Sequence, residues 1–218
     1  MALDPRSLLA AARLYAIVDT GYVEPGQVPQ VTSRLVEGGV DIIQLRAKNL
    51  PLKKVVELGE MMGDIIGGRG PLFILNDYPD LASVCGADGV HVGQDDLPVS
   101  EARARTRITG GIVGKSTHSL DQAVAAEKEG ADYIGVGPIF ATPTKPDYVP
   151  VGPPLIGQVR ARVKVPQFCI GGINEATLPE VLAAGAQRVV IVSDLLRSAD
   201  IPAYCRQVRG FLGARPLK

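Results

Sequence analysis

The chain has 218 residues, 46% of them apolar, with 23 Lys and Arg against 23 Asp and Glu. Such a length and apolar share suffice for one sizeable core within single-domain range. The balanced charge, without any Lys/Arg run, gives no electrostatic basis for a nucleic acid or an anionic membrane as partner, so small-molecule ligands are expected. Cys85, Cys169 and Cys205 are odd in number, widely spaced and set in apolar segments, which fits neither a disulfide framework nor metal-ligand spacing. A reducing cytoplasm is the expected location. The opening stretch "MALDPRSLLAAARLYAIVD" has Asp4 and Pro5 where a signal peptide needs a basic start, and no later stretch reaches membrane-spanning length.

In chain order, strands are predicted at 14–19, 41–46, 72–76, 89–93, 111–116, 133–139, 167–171 and 188–193. Four of the approaches to them look alike: "EGGVDIIQLR", "CGADGVHVG", "EGADYIGVG" and "AGAQRVVIV". Each has a glycine closing a helical stretch, a short polar step, and then a β-rich apolar run. Glycine suits the left-handed residue that ends a helix, and continuous apolar runs suit parallel strands covered on both faces. The helix in "SLDQAVAAEKEG" is the plainest, with Ser119 and Gln122 spaced as a capping box, Leu120, Ala123 and Val124 opening its inner stripe, and Gly130 ending it. Eight strands leave about 27 residues per unit, the compact end for a single-domain α/β (β/α)8 TIM barrel spanning 1–218. An open doubly wound sheet is the alternative, but no Gly-x-Gly-x-x-Gly turn follows the first strand, and no linker or low-complexity segment divides the chain.

In a barrel the residues just past each strand share one rim, however far apart they lie in sequence. Arg46, Lys48 and Lys145 would form a cationic group there, the fork of Arg46 being suited to phosphate oxygens. Asp77 and Asp96 would add two carboxylates among those cations, a set that fits Mg²⁺ held together with substrate phosphates. Each also has a plain structural role to fill, Asp77 as a turn former in "NDYPD" and Asp95 or Asp96 as a helix cap. The turn "CIGGIN" and Ser193 would surround a monophosphate, the alternative being a tight turn and a helix cap. His91 within "GVHVG" and His118 before a helix lack metal-ligand companions, and Ser116 has no Asp–His arrangement in sequence, which leaves hydrolase-type nucleophilic catalysis unsupported. Thr142 and Thr144 in "ATPTKP", a segment restrained by Pro143 and Pro146, would place two hydroxyls and Lys145 on a loop that closes over bound ligands.

The segments "QLRAK", "NDYPDLASVCGADGVHVGQDDLP", "GKSTHS", "GVGPIFATPTKP" and "CIGGIN", in this order between "LYAIVD" and "VVIVSDLL", resemble the thiamine-phosphate synthase family over almost the whole chain. The resemblance implies a TIM barrel that joins a hydroxymethylpyrimidine pyrophosphate to a hydroxyethylthiazole phosphate, with Mg²⁺ as cofactor and pyrophosphate as the second product. It implies pyrophosphate contacts at Arg46, Lys48, Asn76 and Lys145, Mg²⁺ ligands at Asp77 and Asp96, and pyrimidine contacts at Gln44, His91 and Ser116. Thr142, Thr144, Gly172, Val192 and Ser193 fall on the thiazole-phosphate side, and Lys145, Ser116 and Arg46 are the candidates for catalytic contacts. Tyr78, Lys115 and Asp194 depart from the family pattern, and Asp194 would oppose a neighbouring phosphate unless its side chain turns away. Thiazole tautomerases, with His118 as acid or base, and a non-catalytic phosphate-binding regulator are the alternatives. Assembly into a homo-oligomer stays open.

Overall fold

The computed structural model of the chain describes residues 4–144 and 148–213. The apolar runs form eight strands: β1 Leu14–Asp19, β2 Ile42–Arg46, β3 Leu72–Asn76, β4 Gly89–Val92, β5 Ile112–Thr117, β6 Tyr133–Val136, β7 Gln167–Cys169 and β8 Val189–Ile191. All pair in parallel in sequence order, and β8 returns to β1 with Tyr15 opposite Val190, so the sheet closes into a barrel. The helices on and around it are α1 Pro5–Ala11, α2 Val28–Glu37, α3 Leu52–Ile66, α4 Pro79–Ala82, α5 Val99–Arg105, α6 Leu120–Lys128, α7 Pro154–Arg162, α8 Leu178–Ala183, α9 Ser193–Leu196 and α10 Ile201–Gly213.

Alternation along the strands divides the core in two. Tyr15, Ile17, Ile42, Leu72, Ile74, Ile112, Tyr133 and Phe168 make one buried cluster inside the barrel, while Leu14, Val18, Ile43, Leu45, Phe73 and Leu75 pack with residues of the helical layer such as Leu35, Leu58 and Met62. Three aromatic rings fill the interior, Tyr15, Tyr133 and Phe168, with centroids 5.5–5.9 Å apart and the two Phe168 contacts edge-to-face. Leu9 and Ala12 join the same inner cluster, so the N-terminal segment closes one end of the barrel. Its helix α1, capped by the Asp4 carboxylate on the Ser7 N–H, is an element the strand-and-joint pattern did not reveal.

The four similar joints prepare β2, β4, β6 and β8. Gly39, Gly86, Gly130 and Gly185 take φ values of 75°, 67°, 87° and 102°, the left-handed region that costs other residues about 1–2 kcal/mol. The polar step in three of them is an aspartate that secures the preceding strand. Asp41 accepts from the N–H groups of Arg13 and Leu14, Asp88 from Phe73 and Asp132 from Val113, at 2.8–2.9 Å. In the fourth, Gln187 stands at the aspartate's spacing, and the next residue, Arg188, donates to the carbonyls of Ala10 and Ala12. Helix α6 begins as expected, Ser119 Oγ accepting from the Gln122 N–H, although the Gln122 side chain turns back to the N–H of His118.

The last three strands are shorter than the apolar runs that announce them, and the reasons are local. Strand β6 stops at Val136 because Pro138 has no N–H for the ladder, and β7 stops at Cys169 before Gly171 turns to a φ of 97°. Strand β8 gives way after Ile191 to Val192, whose φ of −118° and ψ of −90° lead directly into α9. What those runs supply beyond their strands is the wall of a cavity.

Candidate active site

The C-terminal ends of the strands surround a cavity of about 450 Å³. Gln44, Arg46, Lys48, Asn76, Asp77, His91, Asp96, Ser116, Thr142, Thr144, Gly172, Val192 and Ser193 all line it, so the fold brings together every sequence candidate within the described residues. Lys145 lies outside the described residues.

Gln44 and Arg46 alternate with Leu45 on β2 and therefore face inward. Arg46 Nη1 meets Asp19 Oδ2 at 2.7 Å, and Asp19 is itself buried at the end of β1 with its other oxygen on the Gly21 N–H. The pair holds the guanidinium in one place at the rim. Nothing in "LYAIVD" distinguishes Asp19 from a strand-ending residue, and the two partners meet only through the β1–β2 register.

Two loops set the carboxylates side by side. Asp77 follows β3 with φ of 64°, a left-handed value that aspartate tolerates better than most residues, and its N–H donates to the His91 carbonyl. Lys48 Nζ stands 2.9 Å from Asp77 Oδ2. Asp96 accepts the Gly93 N–H at 2.7 Å, which closes its own loop, whereas α5 starts from Pro98 without a side-chain cap. The cap expected of Asp95 or Asp96 is thus not made, and Asp96 serves the cavity mouth. Burial pushes the Asp77 carboxyl up, the neighbouring Asp96 charge adds to this, and Lys48 offsets it only in part. Asp96 goes the other way: burial works against its charge, but the Gly93 N–H, the hydrogen bond shared with Asp77 and the charges of Lys48 and Lys115 hold it below the ordinary value. Of the two, Asp77 is the carboxyl that takes up a proton more readily. Two neighbouring carboxyl groups at the cavity mouth are a donor set that fits a divalent cation held together with substrate oxygens. The described residues contain no group of three or more His, Cys, Asp or Glu side chains that could hold a metal ion.

Across the cavity, Gly171 and Gly172 take φ values of 97° and 65°. A Cβ on Gly171 would lie 2.4 Å from Pro138 Cβ, and one on Gly172 would lie 2.7 Å from the Ala141 carbonyl oxygen. The turn is packed directly on the loop that continues β6, whose Ile139 and Phe140 N–H groups donate to Ile170 and Gly171. Thr177 Oγ1 supports the turn from behind, donating to the Gly172 carbonyl at 2.9 Å and accepting from the Asn174 N–H. The Asn-x-x-Thr spacing in "GGINEAT" carried that signal. Asp194 still borders the cavity, but its Oδ2 accepts from the Tyr204 hydroxyl at 2.6 Å, which draws the carboxylate toward α10. Arg197 also lines the cavity, 5.1 Å above the Tyr22 ring, and the Tyr22 hydroxyl pairs with Thr144 at 2.9 Å. Neither Tyr22 nor Arg197 was marked by the sequence.

The floor is polar and continuous. Gln44 Nε2 donates to the Tyr15 hydroxyl at 2.6 Å; Tyr15 and Tyr133 hydroxyls lie 2.9 Å apart. Tyr133 lies 3.1 Å from His91 Nδ1, and His91 Nε2 lies 2.9 Å from Ser116 Oγ. His118 instead turns its Nδ1 to the Gly137 carbonyl. Lys115, buried beside the serine, stays out of the cavity lining and reaches the Leu97 carbonyl.

A closed parallel barrel with cations and paired carboxylates on one side of its C-terminal rim, and a glycine turn with Ser193 on the other, is a (β/α)8 framework with its cavity where barrels of this class carry their sites. The sequence profile of the family described as thiamine monophosphate synthase matches residues 14–195, and the chain belongs to that family. A thiamine-phosphate synthase of Shouchella clausii is 43% identical over 194 residues, covering 88% of this chain and 91% of its own. One from Gloeobacter violaceus is 41% identical over 199 residues, 90% of this chain, which spans 56% of that longer protein. Among solved structures, a thiamine phosphate pyrophosphorylase from Pyrococcus furiosus superimposes with a TM-score of 0.84 at 31% identity, over 96% of this chain and 98% of that one.

Proposed function

We propose that the chain is a thiamine-phosphate synthase, condensing hydroxymethylpyrimidine pyrophosphate with hydroxyethylthiazole phosphate to give thiamine phosphate and pyrophosphate. What supports this is that Arg46, Lys48, Asn76, Asp77 and Asp96 line one cavity together with Gly172, Val192 and Ser193, two groups that we read as its pyrophosphate and phosphate ends. In the reaction the bond between the pyrimidine methylene carbon and the pyrophosphate oxygen breaks with its electron pair leaving on oxygen. The thiazole nitrogen gives its lone pair to the same carbon. No protein nucleophile is required, and positioning with charge stabilisation supplies the catalysis.

Arg46, fixed by Asp19, and Lys48 would meet the pyrophosphate oxygens, and Asn76 would add an amide donor. Asp77 and Asp96 would hold Mg²⁺, which supplies charge neutralisation for the leaving group. Lys145, from the sequence pattern, is the further cation for that group. Gln44, His91 and Ser116 would orient the pyrimidine from the floor, while Thr142, Thr144, the Gly172 backbone and Ser193 would hold the thiazole phosphate. A tautomerase has no use for the carboxylate pair beside Arg46 and Lys48. The described residues contain no helix long and apolar enough to cross a membrane. Incubating the purified protein with both substrates, with and without Mg²⁺, tests this: thiamine phosphate and pyrophosphate should appear in equal amounts only with the ion. A folded protein that yields neither would sink the proposal.

A further inference from the structure

The hydrogen-bond chain under the cavity runs across the barrel from β2 through β1, β6 and β4 to β5. Its interior members are sealed, Gln44 and Tyr15 being 2% exposed and Tyr133 0%. Hydroxyls give and take, so the direction of such a chain is set by a member that can do only one of these. An amide nitrogen only donates. With Gln44 Nε2 donating to Tyr15, the Tyr15 proton is free to go to Tyr133, and the Tyr133 proton then goes to His91 Nδ1. Burial pushes both tyrosines up, so each keeps the proton the chain needs. His91 Nδ1 being an acceptor, its proton is on Nε2 and is given to Ser116 Oγ. That hydroxyl has no other hydrogen-bond partner among the described residues, and it lines the cavity.

We infer that Gln44 and Tyr133 act as positioning residues that polarise this chain, hold His91 in its Nε2–H form and turn the Ser116 hydroxyl into the cavity as a donor, so that the floor selects a ligand ring presenting an acceptor nitrogen there. The ligand half of this rests on the synthase proposal, whose pyrimidine carries such nitrogens; the tautomer half does not. His118 supplies an internal contrast: a carbonyl oxygen only accepts, so its Nδ1 must carry the proton.

The chain has only two histidines, so long-range proton–nitrogen correlation spectra of the ¹⁵N-histidine-labelled free protein read both directly. The expected result is one Nε2–H and one Nδ1–H ring, with His118→Gln removing the second. An Nδ1–H signature on His91 would overturn the polarity. Tyr133→Phe, which removes one oxygen atom, should shift His91 Nδ1 toward a bare imidazole nitrogen and leave His118 unmoved; an unchanged Nδ1 would also overturn it. In the binding arm, the pyrimidine pyrophosphate should bind roughly 10-fold more tightly than its pyridine analogue with C–H in place of the facing nitrogen, and Ser116→Ala should erase the difference. Equal affinities in the unaltered protein would overturn the acceptor preference. Failure to bind either compound would overturn it together with the synthase proposal, while the spectra of the free protein judge the tautomer separately.

Discussion

Replacing Gly172 by alanine should injure the molecule in two separable ways. Its φ of 65° costs a residue with a side chain about 1–2 kcal/mol. The new Cβ would also lie 2.7 Å from both the Ala141 oxygen and Phe140 Cβ, so the loop after β6 must shift, and overpacking of that kind costs about 1–3 kcal/mol. The sum, about 2–5 kcal/mol, corresponds to a Tm lower by about 4–20 °C for a chain of this size. Gly130→Ala is the control: φ there is 87°, but a Cβ meets nothing within 4 Å, so only the conformational part, about 2–8 °C, should appear. The shifted loop carries Thr142 and Thr144, so in Gly172→Ala the apparent KM for the thiazole phosphate should rise about 10-fold more than that for the pyrimidine. Thermal melts and initial rates with each substrate varied in turn provide both readings. If Gly172→Ala melts with Gly130→Ala and both KM values move together, the contact between the turn and the loop does not govern the site.

Excess EDTA should abolish turnover and added Mg²⁺ restore it, with little change in the melting of the free protein, since the ion is completed by substrate; full activity in EDTA would refute the roles given to Asp77 and Asp96. Lys145→Ala should slow the single-turnover bond-forming rate about 100-fold or more, because the leaving group gains charge as its bond breaks; an unchanged rate with weaker binding would reduce the lysine to an anchor. Burial pushes the Cys85 thiol up to about 11 and those of Cys169 and Cys205 to about 12, so thiol reagents at pH 8 should react only after denaturation. As these folded values are raised from an ordinary 9.0, the associated stability is fully present below pH 9.0 and is lost as pH rises through the folded values, so Tm should fall on the alkaline side. Rapid labelling of the native protein at pH 8 would contradict the burial.

What could be read from the sequence was whatever repeats or ends an element. The glycine joints were visible because a left-handed residue after a helix calls for glycine, and the aspartates beside them because a polar residue at the head of an apolar run is conspicuous. Arg46, Asp77, Asp96 and Ser193 stood out in the same way, as polar residues where apolar strands stop. Pro138 was equally visible, yet 133–139 read as one continuous strand, because the run continues in apolar residues after the ladder has lost its donor. Helix α1, seven residues long, is too short to show the apolar periodicity that marks a helix, and only Asp4 and Pro5 announce its start.

The partnerships missed are those made across the barrel. Tyr15 and Tyr133 lie 118 residues apart in the chain, and each reads locally as a β-forming aromatic in an apolar strand. Only closure of the sheet brings their hydroxyls together beneath His91, and the same holds for Tyr22 with Arg197, while Asp19 meets Arg46 through the β1–β2 register. Strand patterning specifies which face a side chain takes, but the register between strands decides what it meets there. A buried tyrosine hydroxyl needs a partner, so an inward-facing tyrosine in a strand is itself a sign that polar groups lie within the barrel. Applied to "LYAIVD" and "ADYIGVG", that rule places two hydroxyls inside an otherwise apolar interior. Among the described residues their polar side-chain partners are Gln44 and His91, which is how the floor of the cavity follows from the tyrosines once the barrel is closed.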